Sequence, residues 1–240
     1  NWKKLTKQVG KKIKLIGVTG TKGKTTTSYF IKSVLEFNGY KTGLIGTIKN
    51  MIGDREIKTT LTTPQANEIN KLLAEMIEEG CKYCVMEVSS VACDLHRVAG
   101  LHFSYGVFTN ITSDHLDYHG NLQNYFKAKK LFFDNMPSGS KVLLNLKDEQ
   151  WKTISADTKA DRYTFGESET ADFEIKNIAI DFNATNYELC NNNHTYRIST
   201  SLVGMFNAYN SVSAAAIGVL EGFGINEVIA GISAAEQVSG

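Results

Sequence analysis

Between an apolar, β-branched run (Lys14 to Thr19) and a segment with apolar residues at helical spacing (Tyr29, Phe30, Val34, Leu35, Phe37) lies Gly17-Val18-Thr19-Gly20-Thr21-Lys22-Gly23-Lys24-Thr25-Thr26. A glycine-rich turn that leaves a strand and opens a helix lets backbone N–H groups converge on phosphate oxygens, and the helix dipole favours the anion. Lys24 is placed to reach β- and γ-phosphates, and the Thr25 hydroxyl to reach Mg²⁺. The pattern is a variant, G-x-x-G-x-x-G-K-T, because Val18 occupies the position of the first glycine of the common phosphate loop. The plain structural reading, a tight turn that binds nothing, does not account for Gly-Lys-Thr-Thr at a helix start.

Such a loop demands a strand–helix alternation, and the next 120 residues supply one. Strand patterns at Gly43 to Thr47, Tyr83 to Val88, Tyr105 to Phe108 and Lys141 to Leu144 alternate with helical patterns at Pro64 to Glu79 and Asn121 to Phe133. Met51 to Thr60 reads as a small hairpin turning at Gly53-Asp54. Near-continuous apolar strands separated by helices predict a mostly parallel sheet covered by helices on both faces. From Asp161 to Thr200 the texture changes to short alternating stretches with Asn-rich breaks, which predicts a small antiparallel edge sheet with a turn at Asn191-Asn192-Asn193. Phe206 to Leu220 and Asn226 to Ala235 read as closing helices. The expected class is therefore α/β, and with no evident linker residues 1–240 read as one domain.

Composition narrows the function. With 26 Lys+Arg against 25 Asp+Glu, the chain lacks the basic excess of a general nucleic-acid or membrane-surface binder. No apolar run approaches about 18 residues, and the first residues lack the apolar core of a signal peptide. Four cysteines do not make a disulfide scaffold, so a reduced, cytoplasmic setting is expected. Cys81-x-x-Cys84 has zinc-ligand spacing, but it lies in an apolar strand with no second pair, so buried thiols are the better reading. No G-x-S-x-G elbow or Ser–His–Asp order supports nucleophilic hydrolysis.

Two further segments carry chemistry. Glu87 ends an apolar strand as Met-Glu-Val-Ser-Ser, and strand ends of a parallel sheet face the ligand crevice. A carboxylate there suits Mg²⁺, although a salt-bridged strand end is the plainer alternative. Thr109 to Gly120 also follows a strand and holds Asp114, His115 and Asp117; His115 could ligate a metal with either aspartate orienting it. Lys127, Lys129 and Lys130 read from periodicity alone as a solvated basic face.

Taken together these strings resemble the central ATPase domain of the Mur ligases, most closely the MurE type, which joins an amino acid to a UDP-N-acetylmuramoyl dipeptide. The resemblance rests on Gly17 to Thr26, on Thr62-Thr63-Pro64, on Met86 to Ser90 running on to His96-Arg97-Val98-Ala99-Gly100, and on Asp114 to Gly120. Tyr125 to Lys129 is similar to that family's Y-x-x-A-K, and Leu202 to Asn210 to its L-x-G-x-[FH]-N-x-x-N. The resemblance implies ATP and Mg²⁺, with two metal sites, and an acyl-phosphate intermediate. It implies that Gly20, Thr21, Lys22, Gly23, Lys24, Thr25 and Thr26 bind phosphate, with Asn145, Asn207 and Asn210 near the adenine end. It implies metal held by Thr25, Glu87 and His115, and catalytic roles for Lys24, His115 and Lys129. Lys129 matches a lysine that the family carbamylates, which would make it a metal support and reverses the solvated reading. Thr62, Thr63, Ser89 and Arg97 match positions that contact the muramoyl peptide, where an arginine suits an anionic substrate.

Departures are Val91, where the type commonly has His or Gln, and Asn145-Leu146-Lys147-Asp148, which only partly matches N-x-D-D. The family also carries an N-terminal nucleotide domain and a C-terminal amino-acid domain, so the chain is expected to be a fragment, inactive alone in ligation. Small-molecule partners (ATP, UDP-muramoyl peptide, amino acid), no nucleic acid, no membrane and a monomeric state are expected. The alternatives are a folylpolyglutamate-synthetase-like or cyanophycin-synthetase-like ligase core and a non-catalytic nucleotide-binding partner domain. The residues leave the choice between lysine and diaminopimelate open.

Overall fold

The computed structural model describes residues 12–112 and 116–236. Among these, eleven strands form one sheet in the order β11-β10-β9-β8-β7-β6-β1-β5-β2-β3-β4. The centre is β1 (Lys14–Thr19), flanked in parallel by β5 (Tyr83–Glu87) and β6 (Phe103–Phe108). β2 (Thr42–Ile45) extends the parallel block on one side; β7 (Lys141–Asn145), β8 (Asp161–Gly166) and β9 (Phe173–Ile180) extend it on the other. Chain order reverses about β1, so its carboxyl end lies at a switch point, where open α/β sheets bind ligands.

Alternation along the strands sorts the core into two layers. Ile16 and Val18 of β1 face α1 (Lys24–Phe37), α7 (Met205–Leu220) and α8 (Ile225–Ser233), whose Phe30, Val34, Val212, Ile217 and Val228 belong to the same cluster. Leu15 faces α2 (Ala66–Glu78) and α5 (Leu122–Asp134), with Leu73, Met76, Phe132 and Phe133. The expected α/β sheet with helices on both faces is thus observed. Short helices α3 (Ser90–Asp94), α4 (Leu116–His119) and α6 (Trp151–Ile154) carry too few apolar positions for periodicity to reveal them. No described helix is long and apolar enough to cross a membrane.

The edge region differs in one respect from the sequence reading. β10 (Thr185–Asn191) and β11 (His194–Thr200) are antiparallel, turning at Asn192 and Asn193, both with positive φ. But β8 lies parallel to β7, and β9 parallel to β8, so the antiparallel strands continue the main sheet and do not form a separate one. Pairing direction is set by the crossover that precedes a strand, which alternation cannot report. The hairpin β3 (Lys49–Ile52) and β4 (Arg55–Lys58) closes the opposite edge and turns at Gly53-Asp54 as expected.

At the far end from the loop, Glu221 ties α7 to the sheet. Its carboxylate accepts hydrogen bonds from the hydroxyls of Tyr83 and Tyr105 (2.7 Å for Tyr105) and pairs with Lys14 at 2.6 Å, with the Glu221 side chain only 7% exposed. Burial alone raises this carboxyl, but the Lys14 ammonium and the two hydroxyls outweigh it and hold the group below its ordinary value. A depressed carboxylate stabilises the fold above its unfolded pKa, and the contribution disappears as pH falls through the lower folded value. Glu221→Gln is expected to cost about 1–3 kcal/mol at pH 7. In urea melts the gap to the wild type should close as pH falls below about 4; a gap independent of pH refutes the assignment.

Candidate active site at the strand tips

The loop is shaped by its neighbours. Gly20 has φ +151°, and a Cβ there would lie 1.9 Å from Thr109 Oγ1; Gly23 has φ +85°, and its Cβ would meet Asn210 Oδ1 at 2.7 Å. The segment after β6 cradles the turn: Thr21 N donates to Asn110 O (2.8 Å), Lys22 N to Asn110 Oδ1 (3.0 Å), and Thr109 Oγ1 to Lys22 O (2.7 Å). Helix α1 then starts at Lys24 with no side-chain cap and no acidic residue in its first turn, so nothing in that turn offsets its positive end. The Lys24 ammonium folds over the loop, donating to the Gly20 and Thr21 carbonyls at 3.0 Å each.

Glu87 stands beside this helix start. The residue is fully buried, and Thr25 Oγ1 donates to its Oε2 at 2.9 Å. Thr47, just past the tip of β2, donates its hydroxyl to Oε2 (2.8 Å) and its N–H to Oε1 (3.0 Å). A carboxylate and hydroxyls are the hard oxygen donors that Mg²⁺ takes, so the residues present fit the metal. Thr47 escaped the sequence reading; its only signal there is a hydroxyl immediately after a strand end. His115 and Asp114 lie outside the described residues, and Asp117 is exposed on α4. No group of three or more His, Cys, Asp and Glu with metal-binding geometry occurs among the described residues.

The four residues matched to peptide contact cluster on the other flank of Glu87. Thr62 Oγ1 lies 3.1 Å from Thr47 Oγ1. Buried Thr63 donates to the Glu87 carbonyl (2.7 Å) and accepts from Ser89 N (3.0 Å). Ser89 caps α3 through Ala92 N (3.2 Å). Arg97 Nη1 donates to the Thr63 carbonyl at 2.9 Å, while its buried Nε has no protein partner. Thr63 therefore shapes the site from beneath, whereas Thr62, Ser89 and Arg97 are partly exposed.

On the loop's opposite side a cavity of about 550 Å³ is lined by Gly23, Thr26, Asn145, Phe206, Asn207 and Asn210, among others. The three asparagines are thus brought together. Asn145 spans Thr109 O (2.7 Å) and Lys147 N (3.0 Å), and Asn210 accepts from Thr27 Oγ1 (3.2 Å).

Lys129 corrects the reading of the basic helix. It is 1% exposed, donates to the Gly20 carbonyl at 2.8 Å and sits 4.7 Å from the centre of the Tyr125 ring. Lys127 is exposed, and Lys130 pairs with Asp134 at 2.6 Å. Position on the inner face of α5, invisible to charge counting, separates Lys129 from its neighbours. Cys81, Cys84 and Cys93 are buried free thiols. Burial pushes the Cys84 thiol up, and Cys93 up to about 12, which leaves neither poised as a ligand or nucleophile.

A parallel sheet whose central strand turns through a glycine loop into a helix, with a carboxylate on the adjacent tip, defines a P-loop-type α/β domain. The Mur ligase middle domain model matches residues 18–218, and the chain belongs to that family. It is 41% identical over 229 residues to a UDP-N-acetylmuramoyl-L-alanyl-D-glutamate--2,6-diaminopimelate ligase of Clostridium acetobutylicum, covering 95% of this chain and 47% of the relative. The corresponding ligase of Cytophaga hutchinsonii is 43% identical over 229 residues, covering 95% of this chain and 46% of that one. The chain spans about half the length of the curated relatives it matches. A solved diaminopimelate ligase superposes with a TM-score of 0.85 at 23% identity, over 98% of this chain and 50% of that one. MurF from Acinetobacter baumannii superposes at 0.77 and 19% identity, over 99% of this chain and 49% of its own.

Because a Cβ at Gly20 would overlap the Thr109 hydroxyl, Gly20→Ala is expected to destabilise the fold by about 1–3 kcal/mol. Equilibrium urea unfolding checks this, and an unchanged midpoint refutes the close approach.

Proposed function

We propose that this chain is the ATP-binding module of a MurE-type ligase, which activates the terminal carboxylate of a UDP-N-acetylmuramoyl peptide and passes it to an amino acid. The observation that carries the reading is the contact of Thr25, the residue after Lys24, with buried Glu87, across the loop from the asparagine-lined cavity. The names of the relatives support 2,6-diaminopimelate as the amino acid. We place the protein in the cytoplasm, as a monomer acting on small molecules.

In this reading the base enters the cavity at Asn145, Asn207 and Asn210, and the phosphates follow the loop from Gly20 to Thr26. The first-turn N–H groups and Lys24 draw negative charge toward the helix start. Thr25 and Glu87 would hold Mg²⁺, with Thr47 orienting the carboxylate; when bound, the metal would supply positive charge against the phosphate oxygens. Ser89, Thr62 and Arg97 hold the anionic peptide on the far side of Glu87. The peptide carboxylate oxygen attacks the γ-phosphorus as the bond to ADP breaks. The amine nitrogen then attacks the acyl carbon of the resulting acyl phosphate, loses a proton and expels phosphate. Lys129, buried beside the loop, is the lysine that CO₂ would convert to a carbamate with release of a proton, creating a second metal site together with His115.

The test is titration of the chain with a non-hydrolysable ATP analogue, with and without Mg²⁺. Binding is expected to require Mg²⁺ and to weaken at least about tenfold in Lys24→Ala, as expected for loss of a charge-assisted contact. Glu87→Gln is expected to bind the nucleotide with its Mg²⁺ dependence reduced. Affinity unaffected by Mg²⁺ and by Lys24→Ala overturns the reading.

A further inference from the structure

Lys129 and the phosphate loop are joined by a closed ring of contacts through one residue. Tyr125 is fully buried on α5, one helical turn before Lys129, so both side chains share a face. Its hydroxyl lies 2.9 Å from Thr21 Oγ1. The Thr21 hydroxyl has one proton and two lone pairs. It accepts from Thr112 N at 2.9 Å and donates to Thr112 O at 3.2 Å, since a carbonyl can only accept. That leaves Tyr125 as the donor. The ring of Tyr125 meanwhile carries the Lys129 ammonium at 4.7 Å from its centre. That ammonium donates to the carbonyl of Gly20, the residue bonded to Thr21. The same carbonyl accepts from Lys24, so its two lone pairs are both committed. Behind the ring stands His119, 5.4 Å away and bonded through Nε2 to Ser90 Oγ at 3.0 Å.

We propose that Tyr125 is a positioning residue of the phosphate site, whose hydroxyl fixes the peptide at Thr21 while its ring face holds Lys129 against Gly20. The inference rests on the reading of this loop as a nucleotide site, and it concerns Lys129 as the ammonium, before any reaction with CO₂. The two ends of Tyr125 act on different targets, so they can be separated by substitution. Tyr125→Phe keeps the ring and Lys129 in place and releases Thr21. Tyr125→Leu releases both.

The experiment is amide and lysine-ε NMR of the full chain without nucleotide, followed by titration with a non-hydrolysable ATP analogue and Mg²⁺. In the wild type the Lys129 ε-protons are expected upfield, shifted by the ring they face. Tyr125→Phe should keep that shift, move the Gly20 and Thr21 amides, and weaken nucleotide binding about two- to tenfold, as for one hydrogen bond. Tyr125→Leu should also abolish the Lys129 shift. Unmoved Gly20 and Thr21 amides with wild-type affinity in Tyr125→Phe overturn the proposal. So do changes spread over the whole sheet, which would make Tyr125 a packing residue. Failure of the nucleotide reading shows separately, as absence of wild-type binding with the ring-current shift still present.

Discussion

A carboxylate with no exposed surface, held at the tip of β5 by two threonine hydroxyls and one N–H, sets the terms for everything around it. None of the hydrogen-bond donors described for it is cationic, and a buried carboxylate is costly unless donors satisfy it. The parallel sheet tolerates it because two segments converge on the same edge: Thr25, at the start of α1, gives one hydroxyl, and Thr47, just past β2, gives the other hydroxyl and the N–H. The packing below is what fixes that convergence. Ile16 and Val18 lock β1 against one helical layer and Leu15 against the other, so the ends of β1, β2 and β5 cannot slide relative to one another without exposing core.

Much of this was legible in the residues. The glycine loop, the alternation of apolar strands with helices, the Gly53 and Asn-rich turns and Glu87 at a strand end are local patterns, and the structure places each where the pattern puts it. What stayed hidden depends on long-range packing. Lys127, Lys129 and Lys130 are alike in composition, yet only Lys129 points between α5 and the loop. Thr47 carries no motif of its own; it matters because β2 lies beside β5 although the two are nearly forty residues apart. The direction of β8 follows from a crossover, and three helices of four or five residues are shorter than a period can define. The family resemblance singled out Lys129 and left Thr47 unmentioned.

Opposite ends of the sheet handle buried charge in contrasting ways. At Glu221 a carboxylate is saturated by two phenols and an ammonium, an arrangement that resists change. At Glu87 two of the three donors are hydroxyls, each able to rotate and to offer a lone pair in place of a proton. The first is a fastening and the second a socket, and the difference lies in the chemistry of the donors more than in depth of burial.

The hairpins that bracket the parallel block have a consequence for the chain's behaviour in a crowded solution. The strands richest in Val, Ile and Leu lie inside the sheet, paired on both sides. The outermost strand on one flank, Arg55 to Lys58, is short, carries three charged residues of four and is tied down by Arg55 to Glu75 and Glu79. Such a border offers a poor template for a stray strand. The segments most prone to self-association are thus shielded by their own neighbours, and the chain can keep a wide, sticky sheet without advertising it.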